Sequence, residues 1–176
     1  EDKATVSLIY HGSYNYSDKE NLQLDALKAI LNIKIIERLR EKESGVYSPG
    51  VDVSYSAEPT ATYEAGIYFS CATANVDKLI AAAVDEVNKL KQSGATAEDI
   101  QKFKAEEKRQ LELQLRENGF WLGYLQSAYN RGKNPSEILA YEKTLDQVSV
   151  ASTKEAANQY LKSSNFIRLI LLPEKK

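Results

Sequence analysis

Histidine and cysteine each occur once in these 176 residues, as His11 and Cys71. One histidine cannot assemble the usual nitrogen and sulfur ligands of a zinc centre, and one cysteine excludes an intrachain disulfide framework. Methionine is missing, and the sequence opens with Glu1-Asp2-Lys3 directly before an alternating apolar segment, without a basic n-region or an apolar h-region. The chain is therefore expected to be a fragment of a larger protein, or a processed product, whose targeting information lies elsewhere. An excess of one charge is missing too. The 23 Lys and Arg against 25 Asp and Glu are interspersed and leave a formal net charge of −2, so no broad field attracts nucleic acid or anionic lipid. The longest apolar stretch, Phe166 to Leu172, is interrupted by Arg168 and falls far short of the roughly 20 residues that span a bilayer. A soluble chain is expected, with neither a nucleic-acid partner nor membrane insertion. There is no G-x-S-x-G elbow and no G-x-x-x-x-G-K phosphate loop.

What is present is a run of clear periodicities, and 43% apolar residues suffice for one buried core over residues 1–176. Thr5 to Tyr10 alternates as a strand does, with Val6, Leu8 and Tyr10 on one face. From Asn21 to about Glu43, Leu24, Leu27, Leu31, Ile35 and Leu39 recur at helical spacing, with Ser17 or Asp18 as cap and Gly45 as stop. Val46 to Ser56 and Thr62 to Thr73 read as a hairpin around Glu58-Pro59-Thr60. Asn75 is the expected cap of a helix ending at Ser93-Gly94, and Thr96-Ala97-Glu98-Asp99 opens a long helix predicted to run onward to Leu125. Asn134-Pro135 starts a short helix, Ser152-Thr153 precedes a last one through Ala156 to Leu161, and Phe166 to Leu172 is apolar on both faces, as a central strand would be. Strand, helix, hairpin, several helices and strand give an α+β fold, an antiparallel or mixed sheet with helices packed on it.

Candidate chemistry is sparse. His11 sits where a strand meets a Gly-Ser loop, with no second ligand at metal spacing, and reads as a surface residue. Glu98, Lys102 and Glu106 fall at i,i+4 spacing within a charged stretch to Arg109, the pattern of a solvated, ion-paired helix face. Phe120, Trp121, Tyr124 and Tyr129 lie at helical spacing and are expected in the core. In Leu39-Arg40-Glu41-Lys42-Glu43-Ser44-Gly45-Val46-Tyr47 a helix ends, a glycine turns the chain and a tyrosine begins a strand. Taken alone, Arg40 would complement the helix C-terminus and Tyr47 would pack.

That segment resembles the arginine and tyrosine pair in the C-terminal, non-catalytic half of pitrilysin/insulinase-type zinc metallopeptidases, the family that includes mitochondrial processing peptidase. The helix Leu24 to Arg40, the hairpin Val51 to Thr73, the Gly94-Ala95-Thr96 break, Asn118-Gly119-Phe120-Trp121 and the last strand before Pro173 follow in that family's order, across nearly the whole chain. The active domains of the family carry H-x-x-E-H, which a chain with one histidine cannot contain. The resemblance therefore implies no catalytic residue and no cofactor in this chain, with zinc expected in a partner domain of the same or another polypeptide. It further implies that Arg40 and Tyr47 bind the peptide substrate across a closing chamber. Arginine donates rigid, charged hydrogen bonds to peptide carbonyls, and a tyrosine hydroxyl can meet a developing oxyanion. The competing expectations are a docking domain or inactive subunit in which the pair is idle, and a protein-interaction module. An H-x-x-E-H upstream or in an adjacent reading frame separates the first reading from the others.

Overall fold

Alternating apolar residues make the first strand the centre of the sheet. In a computed structural model, which describes residues 2–46 and 48–174, β1 (Ala4–Ser13) buries Ala4, Val6, Leu8 and Tyr10 on one face. β2 (Gly50–Ser56) and β3 (Thr62–Cys71) form the expected hairpin, with Val51 opposite Ile67 and Val53 opposite Ala65. β3 also pairs with β1, and β4 (Phe166–Leu171) pairs with the other side of β1, so the order is β2-β3-β1-β4 and every pairing is antiparallel. The hairpin is shorter than its propensities suggest. Pro49 has no N–H for a ladder, and Thr73 enters a 3-10 turn over Thr73–Asn75.

β4 is an edge strand, not a central one. Phe166 and Ile170 turn toward the helices, where the Phe166 ring lies 4.8 Å from that of Tyr10. Ile167, Leu169 and Leu171 face the other way and stay 40%, 54% and 73% exposed. Apolar character on both faces thus reflects an uncovered sheet face, a distinction that periodicity cannot make.

The helices lie on the face carrying Val6 and Leu8. α1 (Asp18–Ile35) is capped by Ser17, whose hydroxyl accepts from the Glu20 N–H at 3.2 Å. Its Leu24, Leu27 and Leu31 meet Val51, Ala65 and Ile67 of the sheet, and each such side chain contributes about 1.5–3 kcal/mol on burial. α2 (Val76–Ser93) packs on α1 and on α6 (Val150–Tyr160). Asn75 precedes α2 but makes no side-chain cap bond. The capping box at Thr96 and Asp99 does open α3 (Ala97–Gln114).

Two helix boundaries differ from the sequence reading. The long third helix is two, because the chain breaks between Gln114 and α4 (Asn118–Asn130), where Glu117 is extended at φ −101°, ψ 123°. Leu113 and Leu115 are 46% and 37% exposed, so no buried stripe sustains the helix there. Asn118-Gly119 favours helix poorly, and the Trp121 Nε1–H satisfies the freed Leu115 carbonyl at 2.9 Å. α6 starts earlier than expected: Ser149 is its cap, with Ser152 completing a capping box. Thr153 is fully buried, and its hydroxyl accepts from the Ala95 N–H at 3.0 Å, locking the α2–α3 junction to α6. A 3-10 turn over Pro135–Ala140 leads into the short α5 (Tyr141–Asp146).

Candidate functional site

α1 does not continue as an α-helix to Glu43. From Ile36 to Lys42 the chain is π-helical, the Glu43 N–H reaching back to the Arg38 carbonyl at 3.0 Å. π-Helical turns are rare and frequent at functional sites, and this one carries Arg40. Leu39 anchors it in the core at 0% exposure. Arg38 ties it down through Glu43 at 3.1 Å and Asp85 at 4.0 Å. Lys78 meets the same Glu43 at 2.8 Å, and its hydrogen bond holds that carboxyl below the usual range. The turn closes through Ser44 at φ 49° and through Gly45, where a Cβ would stand 2.8 Å from Leu79 Cδ2. Arg40 is exposed on this braced segment. Tyr47, its partner in the sequence reading, lies outside the described residues.

The other candidates fall into place separately. His11 is exposed, opposite Glu64 across the β1–β3 ladder. Cys71 is buried, which pushes its thiol pKa up and away from reactivity. Lys102 pairs with Glu98 at 2.6 Å, and Arg109 pairs with Glu106 at 2.6 Å, the solvated face that was expected. The aromatic cluster is not core: Phe120, Trp121 and Tyr124 are half-buried and Tyr129 is 73% exposed, because α4 lies beside the helices rather than against the sheet.

Sequence reasoning missed a polar network beneath that cluster. Tyr55 donates to Asp25 at 3.1 Å, and Tyr141 donates to Glu107 at 2.5 Å. Burial raises the Asp25 carboxyl to about 6, against the Tyr55 hydrogen bond. A signal existed: Asp18 and Asp25 are seven residues apart on one helix face, and tyrosine outnumbers phenylalanine by 11 to 4.

Among the described residues, no three His, Cys, Asp or Glu stand close enough to hold a metal ion, and His11 is the only histidine. The donor set does not fit a catalytic zinc. No helix among the described residues is long and apolar enough to cross a membrane.

Comparison with known proteins agrees with this inventory. The family model described as the peptidase M16 inactive domain matches residues 1–107. A zinc protease PQQL-like protein of Arabidopsis thaliana is 28% identical over 138 residues, which is 76% of this chain and 14% of that protein. The periplasmic protease PqqL from Escherichia coli superposes with a TM-score of 0.85 at 22% identity, over 99% of this chain and 19% of its own. The inactive peptidase domain of a zinc protease from Bordetella parapertussis superposes at 0.79 with 14% identity, over 98% of this chain and 94% of its own. This chain thus covers only a small part of the two full-length proteases. With the helices-on-sheet fold and a family match over more than half its length, the chain belongs to the peptidase M16 inactive-domain family.

Proposed function

We propose that this chain is the substrate-binding, non-catalytic domain of a larger zinc metalloendopeptidase, closing over the active site of a partner domain that carries H-x-x-E-H. The observation that carries the reading is the exposed Arg40 on a braced π-helical segment in a domain of the inactive class. A guanidinium held there can donate two parallel hydrogen bonds to a peptide carbonyl or carboxylate before the chemical step. Tyr47, seven residues on, supplies a hydroxyl for charge that develops later. The zinc and the general base belong to the partner domain, so the isolated chain has no turnover of its own.

The test uses the complete peptidase. Tyr47→Phe should lower kcat by roughly ten- to a thousandfold with a smaller change in KM. Arg40→Ala should raise KM as well, since its contact exists in the ground state. As Arg40 is exposed, its variant should melt within the narrow range of ordinary surface substitutions, about 0.5 kcal/mol. Wild-type kinetics in both variants would leave the pair idle and make the chain a docking domain. One observation favours that second reading: Leu122 and Leu169 are 71% and 54% exposed, surface suited to a neighbouring domain.

A further inference from the structure

Well away from Arg40, a cavity of about 450 Å³ opens between α1, α3, α4 and α5. It lies against the N-terminal half of α1, roughly 25 Å along the helix axis from Arg40, so it is a separate place. Its size is that of a small-ligand site, about 300–1,000 Å³. Phe120 and Tyr124 form one wall, their rings 6.0 Å apart and within 13° of parallel. Tyr124 is fixed from both sides: its hydroxyl donates to the Pro135 carbonyl at 2.9 Å and accepts from the Ile138 N–H at 3.0 Å. Asp25 and Glu107 also line the cavity, each held by one tyrosine hydroxyl, Tyr55 at 3.1 Å and Tyr141 at 2.5 Å.

Every charged group in the lining is acidic. Asp18 and Glu137 also border it, and no described lining residue is basic. Asp18 is answered by Lys133 at 2.5 Å, and Lys28, whose charge acts on Asp25, is hydrogen-bonded to Asp52 at 2.7 Å. Asp25 and Glu107 are left with a tyrosine each. The Tyr55 hydroxyl reaches both Asp25 oxygens, at 3.1 and 3.3 Å, but one phenolic proton cannot fill the roughly four acceptor positions of a carboxylate, so both lining carboxylates keep free acceptor capacity.

We propose that this cavity binds an organic cation, an ammonium or guanidinium group on an apolar stem, as on a lysine or arginine side chain. The carboxylates take the charged head, which relieves the repulsion between Asp25 and Glu107. The Phe120–Tyr124 wall takes the stem or offers its π-face to the cation. A bare metal ion is the wrong guest, because the carboxylates do not converge on one point. An anion would meet four carboxylates, and a neutral apolar guest would leave two of them dehydrated and unpaired.

The experiment titrates the purified chain with Nα-acetyl-lysine methylamide and Nα-acetyl-arginine methylamide. Binding is read by the fluorescence of Trp121, whose ring is 6.3 Å from Tyr124, and by amide shifts of Ile138. Saturable binding is expected for both, with Nα-acetyl-norleucine methylamide, which has the four-carbon stem of lysine and no charge, at least about tenfold weaker. The double variant D25N/E107Q, which keeps size and hydrogen-bonding groups, should also bind the cations at least about tenfold more weakly. Its melting curve checks that the fold is intact. A free diamine, cadaverine, separates the two sources of this chemistry: affinity equal to the lysine amide assigns the site to free amines, and tenfold weaker affinity assigns it to side chains of a peptide. Absence of saturable binding by every cation, equal binding of the norleucine compound, or unchanged affinity in the folded double variant would each overturn the proposal.

Discussion

Asp25 carries a cost that the fold imposes. In the unfolded chain its carboxyl loses its proton near pH 4, whereas in the folded chain burial delays that loss to about 6. Between those values the folded state holds a proton that the unfolded state has released, so this residue makes stability fall as pH rises from about 4 to 6. The groups facing it are Tyr55 from β2 and Lys28 from α1, which favour ionisation through a hydrogen bond and a positive charge, and Glu107 from α3, which opposes it. Asp25→Asn removes the titration. The stability of the variant relative to wild type should therefore improve by about 1–3 kcal/mol between pH 4 and pH 7, as measured by urea unfolding at each pH. Parallel pH profiles for the two proteins would sink this reading. Asp99 works in the opposite sense: burial resists its ionisation, but hydrogen bonds from Thr96 and Lys34 outweigh burial and lower its pKa. Its contribution is present at neutral pH and is lost as pH falls through its folded-state value. The cap role of Asp99 was legible because Thr-x-x-Asp is a local pattern. The burial of Asp25 was not, since it depends on α4 and α5, far along the chain.

Elements whose signals are local were the readable ones. Alternation gave β1 and the hairpin, and the serine and threonine caps gave the starts of α1 and α3. Where an element's extent depends on what covers it, periodicity overshoots: it joins α3 to α4, and it carries α1 as an α-helix through a π-helical stretch. Gly45 was read as a helix stop, and its deeper constraint is the approach to Leu79, which is 1% exposed and cannot give way. Gly45→Ala should destabilise the chain by about 1–3 kcal/mol through overpacking. Gly50→Ala is the control, because nothing lies within 4 Å of a Cβ there. Denaturant midpoints decide the matter, and equal midpoints for the two variants would remove the steric argument. The same Gly45→Ala change should also disturb the π-helical segment that carries Arg40.

At the scale of the whole molecule, the open face of β4 is the feature that sequence periodicity misjudged. An edge strand with Ile167, Leu169 and Leu171 exposed and only Arg168 to discourage pairing is a template for another strand. The purified chain should associate as its concentration rises, and Leu169→Lys should suppress the association without lowering the melting temperature by more than a few degrees. Analytical ultracentrifugation over a hundredfold concentration range tests this. Monomeric wild-type chain throughout would show that the edge is already protected. The α+β class, with helices packed on a sheet, is legible from element order alone, whereas the rank of each strand and the bare face of the sheet are not, because they are set by pairings between distant segments.

The sheet joins its first strand to its last, Thr5 standing opposite Leu171 and Tyr10 opposite Phe166. β1 therefore leaves the ribosome about 150 residues before the strand that completes its second side. At about 5–20 residues per second, synthesis leaves that gap open for roughly ten to thirty seconds. Closing so long a loop is also slow once the chain is free, because its entropy must be lost before the ladder rewards it. During that interval β1 has a paired neighbour only on its β3 side. A nascent chain of this topology is thus a natural client for cellular factors that hold apolar strands, and the demand ends when β4 arrives.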